Sequence, residues 1–348
     1  MAEGKGDSME APRRSMRRAA AILAAGMVIL TAGIQPASAA KADILYGTTG
    51  RCNNPFPGGP CTETSTLVVL DPSTGALART IGAVGYTVNG LAWDRKSQQL
   101  YASTSLGCGV EDSVCPFHGL ITIDTATGAG TPVDPVATNF GLIDDESPIH
   151  SITIDSAGRM VGWYDEFPAD EVTDTFVTID KTTGRATEFP DTGLQTNQNG
   201  LSFNRGNNQL WNIDAPRGQA SGTITQAAYM LDPASGKPLS SVSLSPPTIA
   251  AIGDFNPANG FYYGLRFQPF DPFQTTSMVV IDLGNGSVTT LGRTVDNLHT
   301  LAFAKNVKKL RQGRETAPAA ARYPLFDSNA AKRDIAESKK NHLKEKAE

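Results

Sequence analysis

The two ends of this chain are unequal fragments of one repeat, and that mismatch narrows the fold more than any other feature. Residues 89–128 hold one complete unit: NGLAWD, a polar turn, QLYAST, a loop, then LITID, which stops at Asp124-Thr-Ala-Thr-Gly128. Alternating apolar and polar residues mark each piece as a strand, and Asp/Gly clusters mark the turns between them. Altered copies follow as HSITIDSAGRMVGWYD with TFVTIDKTTG, and as GLSFNRGNNQLWNID with AAYMLDPASG. First strands centre on 91–94, 152–155, 201–204 and 254–256, and third strands end at Asp124, Asp180, Asp232 and Asp282. A spacing of about 50 to 60 residues is that of a four-stranded propeller blade. The chain opens at 43–50 with a second strand that has no first, and closes at 299–305 with a first strand that has no second. The fragments complete each other only if the ends meet, which removes the sheet edge each would otherwise present. The expected fold is therefore an all-β, five-bladed β-propeller over 41–305, with a linear β-solenoid as the alternative.

The Asp that precedes x-x-Thr/Ser-Gly is read as structural. Asp71, Asp124, Asp180 and Asp232 each supply a side-chain oxygen to cap a tight turn, and the following Gly takes positive φ. DFNPANG, at 254–260, lacks the ligand spacing and closing Glu of a calcium loop. It stands where other units have a plain hairpin.

The pattern LYxxx…LxxIDxxTG…NGLAFDxxxxxLY is carried by Leu45-Tyr46-Gly47, residues 67–75, residues 89–94 and Leu100-Tyr101. It resembles the blade repeat of exported bacterial β-propellers, many without an assigned function. The resemblance covers 42–305 and departs most at 250–254, where AAIGD replaces the NGL entry. It implies a fold and carries no catalytic residues.

The flanking segments are read separately. Arg13, Arg14, Arg17 and Arg18 precede an apolar run over 19–34 and a small-x-small cleavage site at Ala37-Ser38-Ala39. Residues 1–40 are thus expected to be a signal peptide, too short for a comfortable span, which places the mature chain in the periplasm or outside the cell with no transmembrane segment. Residues 306–348 form a basic tail of eleven Lys/Arg against six Asp/Glu, part of it helix-forming. A solvated tail and a docking arm for an envelope partner are the two readings. The body, 42–305, has thirteen Lys/Arg against twenty-six Asp/Glu, which argues against nucleic acid as a partner. The four cysteines fall in two close pairs, Cys52 with Cys61 and Cys108 with Cys115, in Gly/Pro-rich loops. In an exported chain they read as disulfides, with local pairing favoured among three connectivities; a zinc site is the alternative.

Site candidates come from the expected geometry. Connections after strands two and four share one face, and by resemblance to other propellers that is the usual ligand face. Here they are the long ones: 50–65, 105–119, 133–148, 165–173, 189–198, 214–226 and 268–276. Long loops on a rigid scaffold are where binding residues concentrate. Aligning first strands on Trp93, Ile154, Phe203, Phe255 and Phe303 places Asn89, His150, Asn199, Ala251 and His299 in one register at the channel end. The expectation is that these polar groups bond backbone and channel water, with no cofactor; the alternative is a divalent metal held by His150 and His299. Trp163 and Tyr164 offer a stacking surface for a sugar or peptide, or pack between blades. No GxSxG, HExxH or phosphate-loop motif occurs. Five-bladed propellers include glycosidases, but the strand entries here lack the paired acids such chemistry needs. The functional expectation is a binding scaffold that takes a protein or carbohydrate on its long-loop face. A hydrolase or lyase at the channel end, and an accessory subunit of an envelope complex, are the alternatives.

Overall fold

The computed structural model describes residues 43–49, 64–104, 119–134, 140–141, 149–164, 173–189, 191–196, 200–214, 226–247, 252–267 and 276–305. The expected signal segment, Asn199 and the basic tail lie outside the described residues. So do Cys52, Cys61, Cys108 and Cys115, so their expected pairing as disulfides remains an expectation. All regular structure in the described part is strand, arranged as five four-stranded antiparallel sheets.

Blade 1 takes β1 (Ile44–Thr49), β2 (Thr66–Leu70) and β3 (Leu77–Ala83) from the start of the chain. Its innermost strand, β20 (Leu298–Ala304), comes from the other end and pairs antiparallel with β1, Leu45 opposite Phe303. Blade 2 is β4 (Val88–Asp94), β5 (Gln99–Thr104), β6 (Leu120–Ile123) and β7 (Gly130–Pro132). Blade 3 is β8 (Ile149–Ile154), β9 (Met160–Tyr164), β10 (Thr175–Ile179) and β11 (Ala186–Phe189). Blade 4 is β12 (Ser202–Asn204), β13 (Gln209–Asp214), β14 (Ala227–Leu231) and β15 (Pro238–Ser243). Blade 5 is β16 (Gly253–Phe255), β17 (Tyr262–Phe267), β18 (Thr276–Asp282) and β19 (Ser287–Arg293). The first strands adjoin in the closed order β20, β4, β8, β12, β16 and back to β20. This is the five-bladed β-propeller that the unequal ends require, closed by the expected strand pairing.

Burial follows distance from the axis. Strands β4 and β20 are buried along their whole length, whereas β3, β15 and β19 at the rim are largely exposed. The inner strands are covered on both faces, and the polar residues they carry, among them Asn89, Ser151, Thr153, Ser202 and His299, are buried with the apolar ones. No core sits on the axis. Five hydrophobic clusters form instead, one in each gap between neighbouring blades. Trp93 lies between blades 1 and 2, Trp163 between 3 and 4, and Trp211 between 4 and 5.

The turn between the third and fourth strands repeats in every blade. Asp71, Asp124, Asp180, Asp232 and Asp282 each accept a backbone N–H two residues on, at 2.7 to 3.0 Å. The glycine that ends the turn has positive φ in all five: Gly75, Gly128, Gly184, Gly236 and Gly286. It also lies against the preceding blade. A Cβ on Gly128 would stand 2.6 Å from the Gly82 carbonyl oxygen of blade 1, and one on Gly236 would stand 2.4 Å from Phe176 Cβ of blade 3. Glycine is therefore demanded here twice over, by the backbone angle and by the contact. Gly85 also has positive φ, but a Cβ there would meet nothing within 4 Å. Gly85→Ala should cost only the left-handed backbone term, about 1–2 kcal/mol. Gly128→Ala should cost at least twice as much, and equal costs in urea unfolding would show that the turn does not bear on the neighbouring blade.

The capping carboxyls also set an acid limit. Hydrogen bonds from Ser73 hold Asp71 below the ordinary carboxylate range, and bonds from Thr182 and from Ser235 do the same for Asp180 and Asp232. A depressed folded pKa adds stability that is present above the unfolded value and is lost as pH falls through the folded one. Stability should therefore drop as pH falls below about 3.8, the ordinary value for these groups. The effect is modest because the groups are exposed. Asn caps the same kind of turn at Asn256, whose Oδ1 accepts from Ala258 N–H at 2.9 Å. The triple change Asp71→Asn, Asp180→Asn and Asp232→Asn should thus keep the fold and flatten the melting temperature against pH below 4, read by circular dichroism.

Candidate functional site at the ends of the channel

The first strands enter the channel through a shared irregularity. Asn89, His150 and His299 are each the extra residue of a β-bulge, falling between the pairs Val88/Gly90, Ile149/Ser151 and Leu298/Thr300. The register aligned from sequence is thus a structural equivalence. Bulges re-aim side chains and recur near sites. Asn89 and His299 are 2% exposed, and His150 is half-buried. The Asn89 amide nitrogen has no acceptor among the described residues. The two histidines stand on β8 and β20, with β4 between them. Among the described residues no group of three or more His, Cys, Asp or Glu is placed to hold a metal ion.

Trp163 is fully buried, and its indole N–H donates to Thr196 Oγ1 at 3.2 Å. Thr196 in turn bonds the buried Asp174 carboxylate through its hydroxyl and, at 2.6 Å, its backbone N–H. Tyr164 is buried between blades 2 and 3. Both rings are packed between sheets.

The opposite end of the channel, where first strands turn into second strands, holds a polar centre that sequence reasoning missed. Trp93, Ile154, Phe203, Phe255 and Phe303 form an apolar ring there, around a void of about 20 Å³, room for about one water. One residue earlier in each strand stand Ala92, Thr153, Ser202, Asp254 and Ala302, all small except the one acid. Two residues after the ring position stand Arg95, Ser156, Arg205, Pro257 and Lys305.

Asp254 ties three strands. Its Oδ1 accepts from Ser202 Oγ on β12 at 2.6 Å and from its own neighbour Phe255 N–H at 2.8 Å, and its Oδ2 accepts from Phe303 N–H on β20 at 2.8 Å. Burial pushes its carboxyl above the ordinary value, while the Ser202 and Phe303 bonds and the Arg205 charge pull the other way. Arg205 ties the rest. One terminal nitrogen donates to Ile154 O on β8 at 2.7 Å and reaches Trp93 O on β4 at 3.4 Å. Thr153 Oγ1 accepts from Phe203 N–H at 3.2 Å, and Ser151 Oγ bonds both backbone groups of Leu201. Polar side chains thus span from strand to strand where strands splay too far apart to pair directly. The signal lies in the strand register: an acid stands alone in a row of Ala, Thr and Ser. Arg95 and Arg205 share a position in DRKSQQL and NRGNNQL.

Beyond the apolar ring the mouth widens into a basin of about 470 Å³ lined by Asp94, Arg95, Lys96, residues 154–158 and Arg205. Asp94 pairs with Lys181 from the blade 3 turn at 2.6 Å, and Asp155 with Arg159 at 3.0 Å. Burial alone would raise the Asp94 carboxyl; the bonds from Lys181 and the Lys96 N–H outweigh it and hold it low.

No family model matches the chain, and no curated protein matches it. Among solved structures it is similar to hydrazine synthase of Kuenenia stuttgartiensis, with 12% identity, a TM-score of 0.35, and 65% of this chain and 59% of that one covered. It is similar to the Dos1 propeller, with 12% identity, a TM-score of 0.33, and 70% and 55% covered. It is also similar to a calcium-binding protein, regucalcin, from Agrobacterium tumefaciens, with 14% identity, a TM-score of 0.36, and 72% and 78% covered. The chain spans under two thirds of the length of the first two. Likenesses this distant carry no argument about chemistry; the propeller rests on the strand topology above.

Asp254→Asn would turn an amide N–H₂ toward a backbone N–H or the Ser202 hydroxyl and leave a buried donor unmatched. It should lower stability by about 1–3 kcal/mol in denaturant titration. An unchanged midpoint would mean the carboxylate does not hold the ring.

Proposed function

We propose that this chain is an exported β-propeller that serves as a binding scaffold for a protein or carbohydrate. One observation supports a scaffold over a catalyst: Asp254, Arg205, Ser151 and Thr153, polar groups of the inner strands and their hairpins, are engaged in joining blades. All four bond backbone or side chains of neighbouring blades. Groups committed in this way hold geometry and are poorly placed to move protons for a substrate. In this reading ligand contact falls on the face of the strand two-to-three and four-to-one connections. Disulfides stiffen that face, one joining Cys52 to Cys61 and the other Cys108 to Cys115. Residues 1–40 direct export, and the basic tail docks the propeller to an envelope partner. Trp163 and Tyr164 serve packing, and Asn89, His150 and His299 line the channel end on the ligand side.

A second reading, a hydrolase or lyase at that end, draws on the three bulged positions with their two histidines. The two readings part on one experiment. The mature protein and its His150→Ala/His299→Ala double variant are compared for bound metal by elemental analysis. Both are then compared for ligand retention on a glycan array and by photo-crosslinking from positions 56, 110 and 220. The scaffold reading expects no metal in either protein, and retention that survives the histidine changes but is lost on replacing 105–119 with a short Gly/Ser linker. One equivalent of metal in the wild type, lost in the variant together with ligand turnover, would overturn it.

A further inference from the structure

We infer that the basin at the hairpin end of the channel is an oxyanion-binding site, in which the guanidiniums of Arg95 and Arg205 hold a carboxylate or phosphate group of a small ligand. It lies at the opposite end of the channel from the ligand face proposed above and stands independently of that reading.

Four observations carry it. First, position: Arg95 and Arg205 occupy the same place in two blades, two residues past the apolar ring, with Lys96 beside one of them. In a body with half as many basic as acidic residues, three cations on one 470 Å³ basin run against the composition. Second, the basin's own carboxylates are already matched from outside it. Asp94 is held by Lys181 and Asp155 by Arg159, which also bonds Pro233 O at 2.8 Å. With those partners counted, five cations (Arg95, Lys96, Arg205, Lys181 and Arg159) stand against Asp94, Asp155 and the nearby Asp254, so positive charge is in excess. Third, Arg95 has a buried Nε–H with no acceptor among the described residues. A buried charged donor left unmatched is costly, and in native proteins such groups face a ligand, ion or water. Fourth, Arg205 is already oriented. Its bonds to the strand-end carbonyls of β8 and β4 use one terminal nitrogen and leave the other edge of the fork open among the described residues.

The electrostatics agree. Burial depresses the Arg205 guanidinium most, Asp254 counters it, the nearby Arg95 charge depresses it further, and Asp94 and Asp155 counter it more weakly. An anion between the two guanidiniums removes that mutual repulsion. The planar Arg fork matches the paired oxygens of carboxylate or phosphate, and the volume suits a small molecule.

The test uses the full chain and two probes, inorganic phosphate and citrate, titrated calorimetrically at ionic strength fixed with chloride. Wild type should bind at least one probe saturably at one site. Arg95→Gln should weaken that binding at least tenfold, the loss expected for a charge-assisted hydrogen bond. It should keep its melting temperature, because the Arg95 side chain makes no hydrogen bond among the described residues. The exposed Lys96→Gln, which poses no threat to folding, should weaken binding about threefold. Lys237→Gln, an equal charge change on the blade 4 turn, should leave it within a factor of about two. Failure of wild type to saturate with either probe would overturn the site. So would an Arg95→Gln loss no greater than that of Lys237→Gln.

Discussion

The ring depends on the pairing of β20 with β1. A propeller has no central core, and each hydrophobic cluster here is shared by two sheets. Tyr46 of blade 1 packs with Leu91 and Trp93 of blade 2, and Leu45 on the other face of the same sheet packs with Tyr263 and Leu265 of blade 5. Blade 1 therefore belongs to two clusters, and one of its four strands comes from the far end of the chain. Without β20, β1 would present an open edge toward the channel, and Leu298, Leu301 and Phe303 would leave the blade 5 cluster. The gap would not stay local, because each cluster needs the next sheet to cover it. Closure costs loop entropy only once, and that cost grows slowly with chain length.

Closing five twisted sheets around an axis creates a second problem. Inner strands converge at one depth and splay at the ends, so backbone groups there cannot all find a strand partner. At Gly90 the approach is close enough that a Cβ would stand 2.9 Å from Ile152 N on the next blade. From that depth toward the hairpin end side chains bridge the blades: Ser151 to Leu201, Thr153 to Phe203, Asp254 to Phe303, Arg205 to Ile154. These bonds explain why a half-buried acid and a half-buried guanidinium, Asp254 and Arg205, persist among apolar neighbours. Each satisfies backbone groups of other blades, and buried charge is tolerated when it is bonded in this way.

The fold was legible in the sequence because its signals are local. An Asp cap, a positive-φ glycine and a run of alternating residues act over fewer than ten positions, and each is repeated, so a weak copy is read from a strong one. The bulged register of Asn89, His150 and His299 was legible for the same reason: a bulge adds one residue at one place and leaves the count intact. The polar centre at the other end was not legible in this way. Attention to loop length favours long connections, whereas Arg95 and Arg205 sit in tight hairpins of the kind that usually only join strands. Asp254 was hidden by the departure of its entry from the NGL pattern, and its role depends on Ser202 and Phe303, about fifty residues away in either direction. A contact of that range leaves no mark on local pattern; only the odd acid in a register of small residues betrays it.

The hairpin end of the channel is braced from blade to blade. At the hairpin end, each Asp/Gly turn leans on the preceding blade, Lys181 crosses from blade 3 to Asp94 of blade 2, and Arg159 from blade 3 to Pro233 of blade 4. Ser156 Oγ on blade 3 also meets Asn208 Oδ1 on blade 4 at 2.6 Å. Contacts of this kind leave little freedom to be lost on binding, so a small charged ligand at this end would meet groups already in place. Arg205 is such a group, held by the Ile154 and Trp93 carbonyls before any ligand arrives. A ligand of that size asks for placed charge more than for area, which tight turns between braced blades provide.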